Sequence, residues 1–189
     1  HKTLCDFEED VDLTTGSNEA VIISVQDMNL WKEETQNYDI TGGDIDNQVV
    51  KLGWDIGSKS QYRLYLNDAI DISRDFSFDI MDVDDEAVED GAYNLLSGKV
   101  IFKDIYGEES EVDMLQASII YPPIPVAVSK LDSVIGKWNY KHIMRGVTID
   151  TDMIKESNSK IDLENIDEIV FDFSNVESVK VIIDSIKYK

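Results

Sequence analysis

The feature that most constrains this chain is a period-two alternation of apolar and polar residues. It recurs in short runs, each closed by a polar or glycine-containing turn. In "RDFSFDIMDV" (74–83), Phe76, Phe78 and Ile80 share one face. In "QYRLYLN" (61–67), Tyr62, Leu64 and Leu66 oppose Arg63 and Tyr65. In "QVVKLGWDI" (48–56), Val50, Leu52, Trp54 and Ile56 oppose Lys51, Gly53 and Asp55. Side chains of a strand point alternately to opposite faces, so these runs predict strands with one buried face. Helical periodicity is scarce.

Further strands are expected at 3–9, 20–25 and 28–34, and in "KWNYKHIMRGVTI" (137–149), "IDEIVFDF" (166–173) and "VKVIIDSIKY" (179–188). "KVIFKDIYGEESEVDM" predicts a hairpin turning at Tyr106-Gly107. "YPPIP" (121–125) lacks three backbone N–H groups, so it marks a sheet crossing or an edge. "TDMIKES" is expected to form a short helical turn, and the acidic "DVDDEAVEDG" (82–91) a solvated loop. Its sixth position is Ala87, where an EF-hand loop needs glycine, so that motif is rejected. About ten strands between polar loops predict an all-β, two-sheet antiparallel β-sandwich spanning residues 1–189 as one domain. With no initiator Met and no signal-peptide pattern at His1, the chain reads as a segment of a larger or processed protein.

The formal net charge of −22 argues against nucleic acid and anionic membranes as partners. No apolar run is long enough to span a membrane. The lone Cys5 excludes an internal disulfide. Catalytic patterns are missing: no nucleophile elbow, no phosphate-binding glycine loop and no zinc-spaced histidine pair. His142 reads as a structural or surface residue. Grouped with Tyr140 and Arg145 it would suit a glycan lyase, but on one continuous strand Arg145 alternates away from the other two. The candidates left are flat aromatics beside polar neighbours. Trp31, the Trp138–Tyr140 pair, and Arg63 with Tyr65 are the expected sugar contacts, while Trp54 fits the core.

The order of several motifs resembles the galactose-binding-like β-jelly-roll superfamily, which holds many bacterial carbohydrate-binding modules. These are "DFEE" (6–9), "VVKLGWDI" followed by "DISRDFSFDI", and "IDLENIDEIVFDF" followed by "VKVIIDSIKY". The closing pattern falls on Asp162, Leu163, Ile166, Ile169 and Val170, then Ile183, Asp184 and Ile186. The resemblance implies a jelly roll and a non-catalytic module of an extracellular or cell-surface bacterial protein that processes polysaccharide. It implies a structural calcium where first and last strands meet, with Glu8 and Asp184 as ligands. The partners it implies are a polysaccharide or oligosaccharide and neighbouring domains of the parent chain. The alternative is an accessory sandwich that packs on a catalytic or cell-surface partner.

Overall fold

A computed structural model describes residues 2–5, 21–26, 29–37, 46–54, 61–89, 91, 93–127, 129, 139–174 and 179–189. The alternating runs form strands β1 (Lys2–Cys5), β2 (Val21–Gln26), β3 (Asn29–Asn37), β4 (Asp46–Trp54), β5 (Gln61–Ile70) and β6 (Asp75–Asp82). Helix α1 (Asp85–Glu89) follows, then the hairpin β7 (Lys99–Asp104) and β8 (Glu109–Asp113), and helix α2 (Met114–Ala117). Next come β9 (Ile124–Val126), β10 (Asn139–Lys141), β11 (Arg145–Asp150), helix α3 (Thr151–Ser157), β12 (Ile166–Asp172) and β13 (Val179–Tyr188).

The strands make two main antiparallel sheets. One has the order β11-β6-β13-β4-β3, with β1 added along β13; the other has the order β2-β5-β12-β7-β8. The chain crosses repeatedly between them, so strands distant in sequence become neighbours. This is the expected two-sheet β-sandwich. Its core is the meeting of the alternating faces. Phe76 and Phe78 of β6 reach across the sandwich, Phe76 edge-on to Phe102 of β7 at 5.2 Å and Phe78 edge-on to Phe171 of β12 at 5.0 Å. Tyr62 stacks on Phe171 at 6.1 Å. Val50, Leu52, Leu64 and Ile80 are buried around them. Fully burying such a side chain contributes about 1.5–3 kcal/mol, so these few rings and aliphatics outweigh any surface ion pair.

β13 explains the acid set among isoleucines. Val181 and Ile183 face the core, while Ile182 faces outward into a small cluster with Met81, Val83 and Met144. Asp184 shares that outer face, sits opposite Asp79, and accepts the Ser185 N–H at 2.7 Å. The ladder then breaks: Asp184 pairs with Asp79 and Lys187 with Ser77, so Ser185 and Ile186 together face one residue. Ser185 takes the left-handed conformation at φ 51°, the mark of a β-bulge.

Two expectations fail. Residues 82–91 are not a solvated loop. Asp84 caps α1 by accepting the Ala87 N–H at 3.1 Å, and both Asp82 and Asp84 are buried. Residues 137–149 do not form one strand. β10 belongs to a two-stranded ribbon with β9, whereas β11 joins the large sheet, and the strand is broken at 142–144. Pro125 sits opposite Tyr140 in that ribbon. Its missing N–H suits β9 to an edge position. The hairpin turn is as expected, with Gly107 at φ 88°.

Candidate functional site

Alternation on β5 turns Tyr62 and Leu64 inward and leaves Gln61, Arg63 and Tyr65 on the outer face of the five-stranded sheet. Register supplies their neighbours. Gln61, Arg63 and Tyr65 lie opposite Asp172, Val170 and Glu168 of β12. On the other side of β12, Asp172, Val170 and Glu168 lie opposite Lys99, Ile101 and Lys103 of β7. Val170 is fully buried between Arg63 and Ile101, an apolar floor beneath a polar face.

The polar groups are tied into a network. Arg63 Nη1 donates to Glu168 Oε1 at 2.8 Å and to the Tyr65 hydroxyl at 3.4 Å. Its Nη2 and Nε both donate to Gln61 Oε1, at 2.7 and 3.1 Å. Gln61 Nε2 donates in turn to Asp172 Oδ2 at 2.8 Å. Lys103 pairs with Glu109 at 2.8 Å and reaches Glu168 at 3.7 Å. Partial burial works against the charge on Arg63, but Tyr65 and Glu168 outweigh it and hold the guanidinium above its ordinary range. Burial likewise pushes Asp172 up, and the Ser174, Gln61 and Lys99 groups overcome it, so that carboxyl stays below its usual range. The result is a row of donors and acceptors held in place beside one aromatic ring. Sugar hydroxyls both donate and accept, so mixed charged groups with spare lone pairs suit them.

Among the expected sugar contacts, the structure brings Arg63 and Tyr65 together. Tyr140 lies elsewhere, on the β9–β10 ribbon. Burial, with Glu89 and Asp85 close by, holds its phenol above the usual range. His142 shares a hydrogen bond with Asp85 across 2.7 Å. Because the strand is interrupted before Arg145, the alternation argument against grouping Tyr140, His142 and Arg145 no longer applies. Arg145 instead lies over the Tyr121 ring at 5.4 Å. Trp31 is placed in β3 opposite Lys51, at the backbone level only. Trp138 and Glu8 fall outside the described residues. Gln61, Glu168, Asp172 and Lys103 escaped the sequence reading. Alternation does put Gln61 on the face of Arg63, but the cross-strand partners follow only from register.

The expected calcium ligands are half visible. β1 pairs with the end of β13, Cys5 opposite Ile186, so first and last strands do meet. Asp184 and Asp79 offer hard oxygen donors side by side on the outer face, which suits Ca²⁺ chemically. Among the described residues, no three of His, Cys, Asp or Glu converge to hold a metal. No helix among them is long and apolar enough to cross a membrane.

No family model and no curated protein matches the chain. Solved structures do. An exo-beta-agarase superposes with a TM-score of 0.60 and 15% identity, covering 100% of this chain and 25% of that one. The chain therefore spans a quarter of the agarase's length. The family 30 carbohydrate-binding module of a cellulosomal cellulase of Clostridium thermocellum gives a TM-score of 0.54 at 12% identity, covering 100% of this chain and 98% of that one. The family 11 carbohydrate-binding module from Clostridium thermocellum, solved with a β-1,3-1,4-mixed-linked tetrasaccharide, gives 0.50 at 19% identity, covering 99% and 94%. At such identities the likeness establishes a shared fold, the β-sandwich of carbohydrate-binding modules, and the sequence resemblance holds at that level.

Proposed function

We propose that the chain is a non-catalytic carbohydrate-binding module that lays a neutral glycan across the outer face of the five-stranded sheet. The observation that carries the reading is the Arg63 fork. A guanidinium held between Gln61 and Glu168, beside the Tyr65 ring, is oriented before any ligand arrives. Preorganised polar groups lose less entropy on binding. The acids around it, Glu168, Asp172, Glu109 and Glu111, favour an uncharged polymer over a polyanionic one. The similar modules support the same reading, one of them having been solved with an oligosaccharide. We place the module in an extracellular or cell-surface bacterial protein that processes polysaccharide, beside other domains of its parent chain. The four-fold longer agarase supports that context.

A structural Ca²⁺ held by Asp184 and Glu8 completes the proposal, on the strength of the β1–β13 pairing. It would tie the sandwich together away from the glycan face.

Affinity electrophoresis through gels containing mixed-linkage β-glucan, mannan or agarose tests the binding reading. Retardation by at least one polymer is expected. It should be lost in Arg63→Ala and Tyr65→Ala variants whose melting is unchanged. A folded domain that none of the polymers retards overturns it.

A further inference from the structure

The three prolines of Tyr121–Pro125 bring no N–H to any ladder, and one of them, Pro125, lies within β9. Among the described residues β9 pairs with β10 alone, Ile124 opposite Lys141, Pro125 opposite Tyr140 and Val126 opposite Asn139, and this ribbon stands apart from both large sheets. The separation leaves apolar side chains uncovered. Tyr93 is 60% exposed, and Leu95, Tyr121, Ile124 and Val126 are exposed near it. Tyr93, Leu95 and the run from Tyr121 to Pro125 line a groove of about 280 Å³. Its walls are fixed to one another. The Leu96 N–H donates to the Ile120 carbonyl at 3.2 Å, and the Arg145 guanidinium braces the Tyr121 ring.

The chemistry of the lining selects among ligands. Tyrosine faces, proline rings and aliphatic side chains offer few hydrogen-bonding groups. A sugar seated here would find few side-chain partners for its hydroxyls. A proline-rich segment brings no N–H at its prolines and is already extended as a polyproline II helix. The rim adds a charge preference. Tyr140, opposite Pro125, has Glu89, Asp85 and Tyr93 around it, so acids border the groove where Tyr93 forms its wall. Asp85 is shared with His142, and Glu89 takes the Tyr140 hydroxyl while staying exposed, so its carboxylate still faces solvent at the rim.

We propose that this groove binds a proline-rich peptide segment in polyproline II conformation, with an arginine or lysine flanking the prolines and meeting Glu89. This gives the module a second, protein-directed site on a different sheet from the glycan face.

The probe is a fluorescein-labelled polyproline peptide of about ten residues ending in arginine, titrated against the intact domain by anisotropy. A saturable rise is expected. Tyr93→Ala should weaken it at least about tenfold, since aromatic anchors dominate such contacts. Tyr93 is largely exposed, so this variant keeps its core, and its melting curve verifies that. Glu89→Lys should weaken binding about three- to tenfold and reduce its salt dependence. Arg63→Ala should leave peptide binding unchanged, which separates this site from the glycan face. No saturable rise overturns the proposal, as does a rise that neither Tyr93→Ala nor Glu89→Lys alters. Loss of glycan retardation in Tyr93→Ala, with the peptide unbound, would give the groove to the sugar instead.

Discussion

Asp184 and Asp79 stand directly opposite each other on the outer face of the six-stranded sheet, one on β13 and one on β6. Like charges in that relation repel. Asp184 is only 7% exposed, so water screens it little. The Ser185 N–H supplies one hydrogen bond to it. A cation would turn the repulsion into joint coordination.

The calcium proposal is therefore measurable as stability. Melting with saturating Ca²⁺ and again with chelator should differ by several degrees. An ion at about one hundred times its Kd adds roughly 2.7 kcal/mol when it binds only the folded state. Asp184→Asn should remove the difference. A wild-type midpoint unmoved by chelator removes the ion.

Asp82 gives the stability a slope with pH. Burial, opposed only in part by the Asp84 N–H and reinforced by the Asp84 and Asp85 charges, pushes its carboxyl up to about 7. The folded state then keeps this proton from its ordinary value up to about 7, while the unfolded chain has released it. Folded protein binds more protons in that window, so stability falls as pH rises through it and stays lower above. Asp82→Asn should raise the unfolding free energy measured in urea by roughly 1–3 kcal/mol at about pH 8, and change it little near pH 4. An equal effect at both pH values would contradict this.

Asp104 has the opposite sign. Burial alone would raise it, but the N–H groups of Asp162, Glu108, Tyr106 and Gly107 outweigh that and hold it below the usual range. It clamps the β7–β8 turn through Tyr106 and Glu108 at 2.9 Å each, and ties it to Asp162 at 2.9 Å. This contribution is present above the ordinary carboxyl pKa and is lost as pH falls through the lowered one. Asp104→Ala should cost about 2–4 kcal/mol at neutral pH in chemical denaturation. The difference from wild type should shrink in strong acid.

Arg63→Lys separates binding from stability. Lysine keeps the charge but cannot fork onto Gln61 while holding Glu168. Glycan retention should weaken about tenfold, with stability changed by less than about 1 kcal/mol, because the lysine still pairs with Glu168. A variant that binds normally would take the fork out of the site.

The sandwich was legible wherever one face of a strand is buried. Phe76, Phe78 and Ile80 could alternate for no other reason, and β13 spans the residues expected. The acidic segment was misread because its acids look solvated. Only Asp84 three residues before Ala87 hinted at a cap, and burial of Asp82 follows from β6 continuing inward. The strand over 137–149 was read through its break because its apolar residues keep an approximate alternation, and nothing local tells that Pro125 will face Tyr140. Arg63 and Tyr65 were visible as a polar face. Glu168, 105 residues away from Arg63, was not, because register between distant strands is a tertiary property. The exposed groove was announced only by its prolines.

The bulge at Ser185 has one more effect, on which residues of β13 count as interior. Before it, odd-numbered positions, Val181 and Ile183, fill the core; after it, even-numbered ones, Ile186 and Tyr188, do so. The extra residue shifts the phase of the strand, and an unbroken count from Ile183 would have sent Ile186 and Tyr188 to the outer face. Flattening the bulge with Ser185 kept in the strand would send both side chains outward, whereas deleting Ser185 would leave Ile186 two places and Tyr188 four places after Ile183, on the core face of an unbroken strand. The strand is thus written in two reading frames, and its serine is the frameshift that lets both ends face the same core.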